Sequence, residues 1–216
     1  MPSPTQKAGL PVLLIISSST RPSRKSSALA AWLQDLANAQ GAFEPDIVEL
    51  ADLDLPLLNE PHHPRMQRYE FDYTKAWAQR VERAAAVVVV TPEYNHSYPA
   101  GLKNALDYLS LEWAGKPLGY VTYGGVSAGT RALVALQPVV AALGLQPVQV
   151  AVNVPFVAEV VKADGSVHAN ETMRKAATSM LAALATRVGE RRLLTELADT
   201  KVGTPGASEA RGQSAN

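Results

Sequence analysis

AAAVVVVTPEYNHSYPAGLKNALDYL, Ala84 to Leu109, passes from seven apolar residues through a polar, proline-bracketed stretch into a helical pattern. The run Ala84 to Val90 shows no alternation, which reads as a strand buried on both faces. Leu102, Ala105, Leu106 and Leu109 then recur at helical spacing. Between the two stand Pro92, Glu93, Tyr94, Asn95 and His96. A plain connection needs no exposed aromatic, amide and imidazole together, so this loop is a candidate for holding a ligand. Pro92 fixes its own φ and biases Thr91 toward an extended conformation. Ser97 is placed to cap the helix, with Pro99 in its first turn. Tyr94 would flank a planar ligand, and Asn95 would offer a donor and an acceptor to ring heteroatoms. The plainer alternative packs Tyr94 on the sheet edge and makes Asn95 a turn residue. His96 is assigned no role.

The same alternation recurs on either side. PVLLIIS (11–17) reads as a buried strand, and Leu29, Trp32, Leu33 and Leu36 mark a helix after it. DIVEL (46–50) is a short strand, and Trp77, Val81 and Ala84 mark the helix that leads into the central run. KPLGYVTY (116–123) is a fourth strand, followed by a helix through Leu133, Leu136, Val140 and Leu143, with Gly144 at its end. PVQVAV (147–152) is a fifth strand, and Met173, Ala177, Met180, Leu181, Leu184 and Val188 form a last helix. Five apolar strands, each followed by a helix, imply a doubly wound five-stranded parallel α/β sheet with helices on both faces. In that architecture ligands sit outside the carboxyl ends of the strands, where the strand order reverses. The loops after strands one, three and four are therefore the places to search.

Bulk properties narrow the function classes. At 216 residues the chain suits one large domain, which buries roughly 70% of its unfolded surface and needs no staple. No cysteine is present, which excludes thiol catalysis, disulfides and cysteine-based metal sites and fits a reducing, cytoplasmic compartment. Twenty basic and twenty acidic residues cancel, so no global field draws the chain to nucleic acid or an anionic membrane surface. The apolar runs Leu10 to Ile16 and Ala84 to Val90 fall far short of the roughly 20 residues that span a bilayer. The first run is followed by SSSTRPSRK, not by a small-residue cleavage site, and is a strand, not a leader. Residues 1–9 and 201–216 read as loose tails around a folded part spanning 10–200. His62 and His63 belong to a polar surface loop, since adjacent histidines in an extended chain point apart.

After strand one, SSSTRPSRKSS (17–27) crowds hydroxyls and cations into a strand-to-helix turn. Helix N-termini offer unpaired N–H groups, and added serine and arginine donors suit a phosphate monoester. The alternative is a solvated loop with a serine cap. Neither the P-loop pattern nor G-x-G-x-x-G is present. After strand four, YGGVSAGTRA (123–132) pairs two glycines whose backbone permits close approach of a ligand. Gly125-Val126-Ser127-Ala128-Gly129 also matches G-x-S-x-G, the nucleophile elbow of serine hydrolases. Its triad would need Asp164 and His168, four residues apart around a Gly165-Ser166 turn, which holds a relay poorly. Asp164-Gly165 between VAEVVKA and SVHA reads as a small hairpin turn, placed to cover a neighbouring subunit's site.

With these loops in hand, the chain resembles the NADPH-dependent FMN reductase family from about Leu13 to about Val188. The residues that carry the resemblance are SSTRPSR, DLPLLNEP, TPEYNHSYPAGLKNALDYL and YGGVSAGTRA. It implies a flavodoxin-like fold, with Ser19, Arg21, Arg24, Ser26 and Ser27 around the FMN phosphate. Pro92, Glu93, Tyr94 and Asn95 would line the isoalloxazine, and Gly124, Gly125 and Ser127 its pyrimidine side. The implied activity is hydride transfer from NADPH or NADH through the flavin to a small-molecule acceptor such as a flavin, a quinone or an azo dye. No side chain would be catalytic and no metal is implied. The alternatives are a serine hydrolase acting through Ser127 and a non-enzymatic flavin-binding electron carrier. The resemblance further implies a homodimer or a dimer of dimers, with the helix after strand three at the interface. Leu102, Leu106 and Leu109 are more simply core, and Trp113 is the better interface candidate.

Overall fold

The computed structural model describes residues 9–202, with side chains as far as Leu197. The tail expected over 1–9 lies outside the described residues except for Gly9, and that over 201–216 except for Lys201 and Val202. The chain runs β1 (Val12–Ser17), α1 (Ser26–Gln40), β2 (Glu44–Glu49), α2 (Leu50–Leu53), α3 (Asp72–Arg83), β3 (Ala84–Pro92) and α4 (Ala100–Asp107). It continues through β4 (Pro117–Tyr123), α5 (Thr130–Ala142), β5 (Gln146–Pro147), β6 (Val152–Val154), α6 (Val157–Val160) and α7 (Glu171–Val202). Every ladder is parallel, and the strand order is β2-β1-β3-β4-β5, with β6 also on β4. This is the doubly wound, flavodoxin-like order, whose switch point lies between β1 and β3.

The valine run explains why the sheet needs cover on both sides. Val88 and Val90 pack with Leu13, Ile15 and Val121 under α1 and α7. Val87 and Val89 pack with Leu14, Ile16 and Leu118 under α3, α4 and α5. Successive side chains of a strand face opposite ways, so each layer takes alternate valines. Each buried valine contributes about 1.5–3 kcal/mol over leaving it in water.

Several expectations are corrected. The fifth strand is broken: Gln146 and Pro147 pair with Pro117 and Leu118, and Val152 to Val154 pair with Val121 to Tyr123. Val148 N–H still donates to Leu118 O at 2.8 Å, and residues 149–151 then leave the ladder. Pro92 closes β3, opposite Tyr123, and does not belong to the loop. Ser97 does not cap α4; Pro99 holds that position and no side chain caps the helix. Trp113 is no interface residue: it is fully buried, stacks edge-on against Trp77 at 5.8 Å and donates to the Leu106 carbonyl. Leu102, Leu106 and Leu109 are likewise core.

The Asp164-Gly165 turn closes on a single antiparallel bridge, Val161 to Val167, with Gly165 at φ +84°. The arm before it is the one-turn helix α6, not a strand.

Candidate functional site

The loops after β1, β3 and β4 leave the same edge of the sheet, because those strands are parallel neighbours. They also touch. Ser19 Oγ lies 2.7 Å from Tyr94 Oη, joining the first loop to the second across 75 residues. Ser17 Oγ donates to Ser26 Oγ at 2.8 Å, tying the end of β1 to the first residue of α1. Ser17, Ser19 and Ser26 are fully buried. Tyr123, at the end of β4, completes this hydroxyl cluster: its phenol faces Ser26 and Ser19. Burial pushes that phenol up to about 12, with the serine hydroxyls offsetting part of the rise, so it is a proton donor at neutral pH. Tyr123 is a site residue that the sequence reading passed over, since it looks like the last apolar position of a strand.

The first turn of α1 carries no side-chain cap. Its leading N–H groups therefore remain unspent by the protein. Ser18 Oγ, one residue past β1, is buried and has no hydrogen-bond partner among the described residues. The cations of this loop differ. Arg24 is held: its Nε donates to Glu49 at 2.9 Å and to Ser27 Oγ at 3.0 Å. Arg21 is exposed, and its side chain makes no hydrogen bond or ion pair among the described residues.

The second loop folds back on itself. Tyr94 and Ser97 exchange backbone hydrogen bonds of 2.8 and 2.9 Å. Asn95 and His96 form the tip, both at positive φ (+48° and +64°) and both exposed. Positive φ at both central residues is the turn geometry that asparagine tolerates best among ordinary side chains. Asn95 is thus the turn residue of the plainer alternative. Glu93 is spent on the third loop: it accepts from Ser127 Oγ at 2.9 Å, Arg131 N at 3.2 Å and Arg131 Nη1 at 2.8 Å. Desolvation pushes its carboxyl up, but the bonds from Arg131 and Ser127 outweigh that and hold it below the usual carboxylate range. Glu93 is therefore an anion that braces two loops. Nothing in the local sequence marks this, because the partners lie more than thirty residues away.

The third loop turns tightly. Gly129 sits at φ +82°, and a Cβ there would lie 2.7 Å from Tyr123 N and 2.9 Å from Tyr123 O. Only glycine fits. Gly124 N–H donates to Val154 O at 3.2 Å, so this donor is already used by β6. The N–H groups of Gly125, Val126 and Ser127 meet no protein acceptor among the described residues, and a Cβ on Gly125 would meet nothing within 4 Å. Ser127 bonds to a carboxylate and not to a histidine, while Asp164 accepts from Ser166 N and Oγ at 2.9 and 2.7 Å. The G-x-S-x-G segment is therefore a braced glycine turn, and the hydrolase alternative finds no support.

A cavity of about 600 Å³ lies elsewhere, between Pro11, Ala85, Val188 and Arg191 at the amino ends of β1 and β3. Parallel sheets bind ligands at the opposite edge. Among the described residues no group of three metal-ligating side chains forms, and no helix is long and apolar enough to cross a membrane.

The chain is similar to known proteins in sequence and fold. The family model for NADPH-dependent FMN reductases matches residues 11–159. An NAD(P)H-dependent FMN reductase of Schizosaccharomyces pombe is 41% identical over 121 residues, which cover 55% of this chain and 60% of that one. The chain thus spans about three fifths of that relative. An NAD(P)H-dependent FMN reductase of Saccharomyces cerevisiae is 33% identical over 153 residues, covering 65% of this chain and 80% of that one. The solved structure of FerB, a flavoenzyme NAD(P)H:(acceptor) oxidoreductase of Paracoccus denitrificans, has a TM-score of 0.65 and 26% identity, covering 84% of this chain and 98% of that one. With the sheet order and all three loops inside the matched span, the chain belongs to the NADPH-dependent FMN reductase family.

Proposed function

We propose that the chain is an FMN-dependent oxidoreductase that takes hydride equivalents from NADPH or NADH and delivers them to a flavin, a quinone, an azo compound or a similar small acceptor. The observation that carries this reading is the hydroxyl cluster of Ser17, Ser19, Ser26, Tyr94 and Tyr123 beside an uncapped helix N-terminus. The donor set fits a flavin mononucleotide. A phosphate monoester needs several donors at once. Here they are the first-turn N–H groups of α1, the hydroxyls of Ser19, Ser26 and Ser27, the orphaned hydroxyl of Ser18 and the guanidinium of Arg21. Arg24 supports them from its pairing with Glu49.

Pro92, Glu93, Tyr94 and Asn95 would border the ring system, Glu93 by holding the third loop in place and Tyr94 through its tether to Ser19. Gly124 and Gly125 would give it a bare backbone, and the open N–H groups from Gly125 to Ser127 would offer donors to a ring gaining negative charge. The two-electron redox chemistry is the cofactor's own; the protein supplies position and electrostatics, so no catalytic side chain is required.

The test is titration of the protein with FMN, then stopped-flow mixing of the loaded protein with NADPH and, separately, with NADH. Yellow protein and loss of nicotinamide absorbance with turnover of an added acceptor support the reading. FMN uptake without nicotinamide oxidation would leave the electron-carrier alternative, and no FMN uptake would remove both. We also propose a homodimer or a dimer of dimers, read by sedimentation velocity, and a cytoplasmic location, where NAD(P)H is supplied.

A further inference from the structure

Phe156 combines two features that a fold alone does not reward. It adopts φ +44°, ψ +52°, a left-handed conformation that strains a bulky side chain, and its ring is 51% exposed. Three backbone hydrogen bonds impose this. Gly124 N–H donates to Val154 O at 3.2 Å, Phe156 N–H to Gly125 O at 3.1 Å and Val157 N–H to Gly124 O at 3.1 Å. They clamp the segment after β6 onto the Gly124-Gly125 turn, beside the open N–H groups of that loop. No aromatic partner stacks on the ring among the described residues. Val126, the residue after Gly125 in that turn, is 79% exposed. Glycine or asparagine would take this backbone without the strain. A strained, rigidly seated and water-exposed aromatic at the rim of a binding loop is placed to receive a ligand's face.

We infer that Phe156 is the specificity residue for the acceptor, stacking on planar aromatic oxidants of the quinone type. The inference rests on the reductase reading above. In balance, NAD(P)H and one proton convert the quinone to its hydroquinone and release NAD(P)⁺. The alternative oxidant hexacyanoferrate(III) takes one electron per ion, two ions per nicotinamide, and offers no ring to stack.

The experiment compares kcat/KM for a benzoquinone with that for hexacyanoferrate(III) in FMN-loaded protein carrying Phe156→Gly or Phe156→Trp. The quinone-to-hexacyanoferrate ratio is expected to fall about tenfold in the glycine variant, mainly through KM, and to stay within about threefold in the tryptophan variant. The glycine variant should also melt no lower than the parent, because it relieves the left-handed strain. A ratio unmoved by Phe156→Gly overturns the assignment and leaves the reductase reading intact. Loss of bound FMN or of the folded state in that variant also overturns it, since the ring would then be structural. A parent protein that reduces neither acceptor ends the reductase reading, and this assignment with it.

Discussion

The loops after β1 and β3 look equally polar in sequence, yet they dispose of their polar groups in opposite ways. The β1 loop leaves donors unspent: an uncapped helix, an unpartnered Ser18 hydroxyl and an exposed Arg21. The β3 loop spends its own. Tyr94 and Ser97 bond to each other, Asn95 and His96 turn the chain, and Glu93 is consumed by Ser127 and Arg131. Buried polar groups are satisfied by protein, water or ligand, so unspent donors at a sheet's carboxyl edge are what a bound anion would need. On the proposed function the contrast divides labour: the first loop would bind the phosphate, while the second and third, braced by Glu93, would wall the ring and offer it the open N–H groups of Gly125 to Ser127.

That contrast can be broken, most forcefully at the wall. Gly129→Ala places a Cβ under 3 Å from the Tyr123 backbone at a positive φ, and should cost roughly 4 kcal/mol or more in denaturant unfolding. A loss below about 1 kcal/mol would show that the wall yields. On the binding side, Arg21→Ala should raise the FMN dissociation constant about 10- to 100-fold, the worth of a charge-assisted bond. Arg24→Ala should do less, since Arg24 already holds Glu49. Equal losses would mean that Glu49 releases Arg24 on binding.

Glu93→Gln should lower stability by about 2 kcal/mol at neutral pH, read as a fall in Tm. The carboxyl's pKa is depressed in the folded state, so the brace contributes fully above the ordinary carboxylate value and is lost as pH falls through the lowered one. The gap between parent and variant should therefore close in acid; a gap independent of pH would remove the anionic brace. Smallest of all, Gly125→Ala should change stability by less than about 0.5 kcal/mol, since its Cβ meets nothing. It should still weaken FMN binding severalfold, because only the ligand would meet that methyl.

Local pattern carried most of the architecture. Unbroken apolar runs gave β1, β3 and β4 to within one or two residues, because burial on both faces leaves no other reading. The fifth strand was overread: PVQVAV alternates well, but only its two ends reach β4. Its propensity is local, whereas pairing depends on a neighbour. Ser97 has a capping side chain, yet its backbone is engaged with Tyr94 in a hairpin that depends on left-handed Asn95 and His96. Trp113 follows a helix whose far side is covered by Trp77, a contact spanning 36 positions that no periodicity reports. At the site, residue types and loop positions were readable; the Glu93 brace and the Tyr123 hydroxyl were not, since each exists only once distant loops meet.

The interruption of the fifth strand bears on solubility. A sheet exposes a row of N–H and C=O groups at each border, ready to recruit a foreign strand. On one border residues 149–151 leave the ladder between β5 and β6 and Pro147 removes an outward donor, which shortens the row open to a foreign strand. The other border, EPDIVE, sets Glu44, Pro45, Asp46 and Glu49 against the same hazard. Repairing the gap with a continuous β-branched run would lengthen the ladder and invite fibre-like stacking of the protein.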